Sequence, residues 1–201
     1  LIRSCRGGKK LKAKICAGEF KRIIDNTKRF VGDGTLSELM RWTYLEIDAK
    51  EKVIRATALE GHRISIEYAE LVEADESFTC YIRPTIPKIT KRDNYAELEV
   101  SNSRLYVQVG ESIMGYVQPE GQYYPVDKIL KEYQEKEKMI TIGINAKYLK
   151  DALDSISTYD SDKKMAKIDI YDSVSPVIIR TGRKGERENL KIVLPARLRD
   201  D

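Results

Sequence analysis

The chain has 201 residues, 41% hydrophobic and 34% charged, too apolar for a disordered chain and too polar for a membrane protein. Thirty-six Lys and Arg against 32 Asp and Glu leave a net charge of +4, so bulk charge carries no nucleic-acid argument unless cations are segregated on one face. Cys5, Cys16 and Cys80 form no CxxC and His62 is the single histidine, which excludes a disulfide framework, the common zinc patterns and most imidazole catalysis.

Residues 1–10, LIRSCRGGKK, have no periodicity and are expected to be a non-native or disordered tail. RGGKK can be encoded by a purine run resembling a bacterial ribosome-binding site, which would make Leu11 the natural start; the rival reading is a basic arm that touches phosphates. The absence of a hydrophobic leader or a long apolar run points to the cytoplasm, without a membrane partner.

From Lys12 a strand–helix–strands pattern begins. Lys14 to Cys16 reads as a strand, and Gly18 to Val31 as a helix with Phe20, Ile23, Ile24, Thr27 and Val31 on one stripe. Tyr44 to Thr57 alternates as a hairpin, and Ile64 to Glu70 continues it. A second unit starts at Phe78 to Ile82, where Pro84 and Pro87 then allow at most a short helix. Ala96 to Gly110 is its hairpin, turned at Ser-Asn-Ser, and Ile113 to Val117 its last strand. Glu120 to Lys138 lacks a sustained period and reads as a linker. The third unit runs from a strand at Met139 to Ile144 into a helix capped by Asn145, with Tyr148, Leu149, Ala152, Leu153 and Ile156 as its stripe. A hairpin over Lys167 to Thr181 and a strand over Asn189 to Pro195 complete it. The whole is one βαβββ module used three times, an α+β fold of antiparallel sheets with helices on one face.

Several segments resemble the bacterial sliding clamp family, the beta subunit of DNA polymerase III. ATALEGHRISI matches that family's Ala-Thr-Asp-Gly-His-Arg-Leu segment at Gly61, His62 and Arg63, with Leu59 in place of its Thr and Glu60 of its Asp. EGQYYPVDKIL is similar to its Gly-Arg-Phe-Pro-Asp-Tyr segment with the proline shifted by one place. IGINAKYLKDALDSI, DSVSPVIIR and LKIVLPARL resemble consecutive segments of its last domain. The resemblance implies a DNA-clamp fold shortened to about one and a half domains. It divides the chain into a two-module domain at 11–119, a linker at 120–138, a half domain at 139–198 and a tail at 199–201.

What the resemblance implies about function is a non-catalytic processivity factor without a cofactor. It would encircle double-stranded DNA without sequence preference and dock polymerase or clamp-loader-type proteins. Phosphate contacts suit such a role, since they give affinity but read no bases. Lys21, Arg22, Lys28 and Arg29 sit opposite the apolar stripe of the first helix, interrupted by Asp25; the plainer reading is a solvated helix face. Lys88 and Lys91, with Arg92, stand where the family has a longer helix, and Lys147 and Lys150 share their face with Asp151 and Asp154.

The positions matching the family's partner-peptide pocket are Leu59, Gly61, Arg63, Ile64, Ile129, Val193, Leu194, Pro195, Ala196 and Arg197. Ile64, Val193 and Leu194 read equally as core strand residues, and Gly61 and His62 as turn residues. The acidic pairs Asp160 with Asp162 and Glu73 with Asp75 read as loop residues without a metal, and GRKGER as a hairpin loop. An unpaired third module should expose a sheet edge and an apolar helix stripe, which implies a homo-oligomer joined through this half domain, four copies to a ring, or completion of the half domain by another clamp subunit. The alternative is a reduced clamp relative that captures peptides, as a regulatory interaction protein, without encircling DNA.

Overall fold

The computed structural model describes residues 10–156, 165–181 and 189–196. The chain divides into two compact units, Leu1–Tyr124 and Pro125–Asp201.

The first unit is built from β1 (Leu11–Cys16), α1 (Ala17–Thr27), β2 (Thr43–Asp48), β3 (Val53–Glu60), β4 (Arg63–Ala74), β5 (Phe78–Ile82), β6 (Tyr95–Ser101), β7 (Arg104–Val109) and β8 (Ser112–Val117). All pair antiparallel in one sheet of order β5-β2-β3-β4-β1-β6-β7-β8. The order records an exchange. β1, the first strand of module one, pairs with β6 of module two, while β5, the first strand of module two, pairs with β2 of module one.

Alternation decides the faces: Leu45 and Ile47, Leu98 and Val100, and Leu105, Val107 and Val109 are buried between polar neighbours. Helix α1 covers this apolar face with Phe20, Ile23, Ile24 and Thr27, all fully buried. It is shorter than the spacing suggests: after Thr27 the chain tightens into a 3-10 turn over Lys28–Phe30. Thr27 hydrogen-bonds the carbonyl of Ile23 at 2.7 Å, the back-bonding that such residues make near a helix end. The β6–β7 turn has Asn102 at φ 49° and Ser103 at φ 58°, a primed turn whose twist matches its strands. Between β5 and β6 the two prolines leave the connection extended, and no helix forms there.

The second unit holds α2 (Val126–Gln134), α3 (Ala146–Ile156) and a three-stranded antiparallel sheet of order β11-β10-β9, with β9 (Lys167–Asp169), β10 (Val177–Thr181) and β11 (Asn189–Val193). Asn145 Oδ1 accepts from the N–H groups of Lys147 and Tyr148 at 3.0 and 3.3 Å, the expected cap of α3. Ala152 packs on Val177, Ile179 and Val193, with Leu149 beside them.

Three further expectations are corrected. The stretch read as aperiodic linker contains α2, and Met139–Ile144 forms no strand, keeping only a bridge between Ile144 and Pro195. Glu73, read as a loop residue, lies in β4. Residues 1–9, Asp160, Asp162, GRKGER, Arg197 and Leu198, and the side chain of Ile156 lie outside the described residues.

Candidate functional site

On α1 and the 3-10 turn after it the four cations lie away from the core, but three of them hold carboxylates. Lys21 and Lys28 both donate to Asp25, one from the preceding turn and one from the following. Their hydrogen bonds hold the Asp25 carboxyl below the usual carboxylate range, against partial burial. Because that pKa is lowered on folding, the pairs stabilise α1 above the ordinary carboxylate pKa, and the contribution is lost as pH falls through the folded value.

Arg22 is tied to the sheet. It donates to Glu19 Oε2 at 2.8 and 3.0 Å, to Glu67 Oε2 at 2.7 Å and to the Tyr68 carbonyl at 2.6 Å, the last two on β4. Arg29 is exposed and has no ion-pair partner among the described residues. Four cations are therefore set against Glu19, Asp25 and Glu67, and the face is only weakly positive.

Asp25 is the residue that sets this balance. Replacing it (Asp25→Asn) frees both ammonium groups without removing volume, so duplex DNA affinity should rise several-fold at low salt. The slope of log K against log salt should stay nearly unchanged, because phosphates displace so exposed a carboxylate and reach both ammonium groups with or without it. Fluorescence anisotropy across a salt series measures both.

Lys88, Lys91 and Arg92 are exposed on the extended β5–β6 connection. The Asn94 carbonyl, at the end of that connection, accepts from Ala17 N–H at 2.9 Å and so brings it against the first turn of α1. In the second unit Lys150 pairs with Asp154, and Lys147 is exposed beside Asp151, so α3 carries mixed charge.

The expected pocket residues fall into groups. Leu59 is buried, while Gly61, Arg63 and Ile64 are exposed at the β3–β4 turn. Arg63 pairs with Glu60 at 2.9 Å and stacks over the Phe30 ring at 5.5 Å. Leu36 lies over Gly61, where a Cβ would come within 2.9 Å of its Cδ1, and it is 71% exposed. Phe30 and Leu36 therefore join the site from the α1–β2 connection. Nothing in their local sequence announces this, because the contact spans some 30 residues of chain.

Tyr123 is buried against Tyr44, with ring centroids 5.1 Å apart, and its hydroxyl donates to the Trp42 carbonyl at 3.3 Å. In the second unit Val193 is a core residue, as its plainer reading had it, while Leu194 is 70% exposed. Pro195 bridges Ile144, and Ala196 N–H donates to the Gly143 carbonyl at 2.9 Å. Ile129 is half-buried on α2, away in sequence from both groups.

Among the described residues no three or more His, Cys, Asp or Glu are grouped to hold a metal ion, and no helix is long and apolar enough to cross a membrane.

An exchanged eight-stranded antiparallel sheet with its helix on one face, followed by a further helix-and-sheet module, is the DNA-clamp fold. The chain is similar to solved bacterial sliding clamps. A protein assigned as a DNA polymerase III beta subunit from Eubacterium rectale superposes with a TM-score of 0.77 at 20% identity, over 97% of this chain and 52% of that one. The DNA polymerase III beta chain of Streptococcus pneumoniae gives 0.75 at 15% identity, over 98% and 52%. The sliding clamp of Pseudomonas aeruginosa gives 0.77 at 12% identity, over 95% and 53%. The chain thus spans about half the length of each. No protein-family model and no curated protein sequence matches it.

Proposed function

We propose that this protein is a sliding-clamp-like processivity factor of the bacterial cytoplasm. Several copies would close around duplex DNA and tether a polymerase or a clamp-loader-type protein through a short peptide. Residues 11–119 act as a complete two-module clamp domain and 139–198 as half of one. The observation that carries the reading is the clamp fold, shared over 97% of the chain with a solved beta subunit. No step of this role needs a reactive group. The chain supplies positive side chains to phosphates from α1 and, at the β3–β4 turn, a rim of Leu36, Arg63 and Ile64 for aliphatic or aromatic peptide anchors.

The test is topological. The protein, mixed with a nicked circular plasmid, a bacterial clamp loader and ATP, should co-elute with the circle in gel filtration. It should be released when the plasmid is cut once, because a ring slides off a free end. Equal retention on circular and linear DNA, or none on either, overturns the reading.

The pairing of Lys21, Arg22 and Lys28 with carboxylates favours a second reading, a peptide-capturing regulatory protein that does not encircle DNA. Binding of a fluorescent clamp-binding peptide without plasmid retention selects it.

A further inference from the structure

The sheet of the first unit has one seam in its middle and a second where its margins, β5 and β8, approach each other. At the first, β4, the last strand of its module, runs for twelve residues and pairs with β1, setting Ala74 opposite Ala13, Glu73 opposite Lys14 and Leu71 opposite Ile15. The matching seam would set β8 against β5. But β8 stops after six residues, where Pro119 has no N–H to give, and no backbone ladder joins it to β5 among the described residues. Their inner side chains nevertheless share one core, with Phe78, Cys80 and Ile82 on one side and Tyr116 on the other.

Side chains close this second seam. Gln118, the residue after β8, stands in for a strand: its Oε1 accepts from the Tyr81 N–H at 2.7 Å and its Nε2 donates to the Tyr81 carbonyl at 3.0 Å. Those are the two bonds that a facing residue in an antiparallel ladder would make. Nε2 also donates to the Tyr116 carbonyl at 3.2 Å, and the Tyr116 hydroxyl donates to the Thr85 carbonyl at 2.7 Å. Beyond Gln118 the chain turns at Gly121, at a φ of 112° that glycine takes without strain, and lays Tyr123 on Tyr44 and Tyr81.

We propose that this seam is a latch. It opens while the rest of the sheet stays paired, and residues 118–124 then leave the sheet together as a strap. Hydrogen bonds from one glutamine hold less than a strand ladder does, so this joint has the lowest opening free energy in the sheet. The first unit ends at Tyr124. An open latch therefore adds residues 118–124 to the tether that leads into the second unit, roughly 25 Å of further reach for fully extended chain. The inference goes beyond the DNA reading and rests on the fold of the first unit alone.

Native-state hydrogen exchange of the full chain reads the latch. The Tyr81 N–H faces Gln118, whereas that of Cys80, the residue before it, faces β2, where Cys80 lies opposite Leu45. In the wild type Tyr81 should exchange about tenfold faster than Cys80, each relative to free peptide. Gln118→Met, which keeps the reach of the side chain and removes both bonds, should speed Tyr81 by about a further tenfold and leave Cys80 unchanged. It should also raise acrylamide quenching of Trp42, the single tryptophan, whose carbonyl accepts from the Tyr123 hydroxyl. Gln118→Glu should behave like Gln118→Met when ionised and like the wild type once protonated, because a carboxylic acid accepts and donates as the amide does and a carboxylate cannot donate. A packing role alone would not follow that titration. Equal protection of Tyr81 and Cys80 in the wild type overturns the inference whether or not a variant folds. So does an unchanged Tyr81 in Gln118→Met, an equal loss at both residues, or a Trp42 no more open to quencher.

Discussion

Reversing three charges on α1 and the 3-10 turn after it, as Lys21→Glu, Lys28→Glu and Arg29→Glu, should abolish measurable binding to duplex DNA at 0.1 M salt while leaving the fold intact. The size of the accompanying change in salt dependence separates two pictures of the helix. If the pairs with Asp25 persist on DNA, Arg29 alone meets a phosphate and the slope of log K against log salt loses about 0.9. If phosphates displace the carboxylate, three contacts are lost and the slope falls by about 2.7. Exposed ion pairs are worth only about 0–1 kcal/mol, so displacement costs little and the larger change is the expected one. Arg22 is left in place because its bonds to Glu67 and the Tyr68 carbonyl fasten α1 to β4. An unchanged affinity for the triple variant would remove α1 from any DNA role.

The second large effect is on stability. Phe20 is fully buried between α1 and the sheet, and Phe20→Ala should destabilise the protein by about 3–5 kcal/mol through lost burial and the cavity left behind. Urea unfolding followed by circular dichroism measures it as a lower midpoint. Because Phe20 holds the helix that carries Lys21 on its other face and leads into the turn with Lys28, the same variant should also lose DNA affinity. A loss below about 1 kcal/mol would mean that the helix is not seated as described.

Strands were the most readable part of the sequence, because Leu98, Val100, Leu105, Val107 and Val109 alternate and every one is buried. The α1 stripe and the Asn145 cap were equally plain. Helix α2 was missed since nine residues give only about two and a half turns of pattern, set between irregular flanks. Met139–Ile144 does alternate like a strand, but alternation records which side chains seek burial and not whether a partner strand is present. The cations of α1 were legible one by one, whereas Glu67, which binds Arg22 from 45 residues away, was not. Leu36 over Gly61 escaped for the same reason: proximity made by folding leaves no trace in local spacing.

Strand β1 sits in the middle of its sheet, with Ala13 opposite Ala74 and Leu11 opposite Val100. On the ribosome it is made long before either neighbour. The nascent chain must keep a short apolar segment waiting while some 60 to 90 further residues emerge, and the sheet can only be stitched from its margins toward that earliest piece.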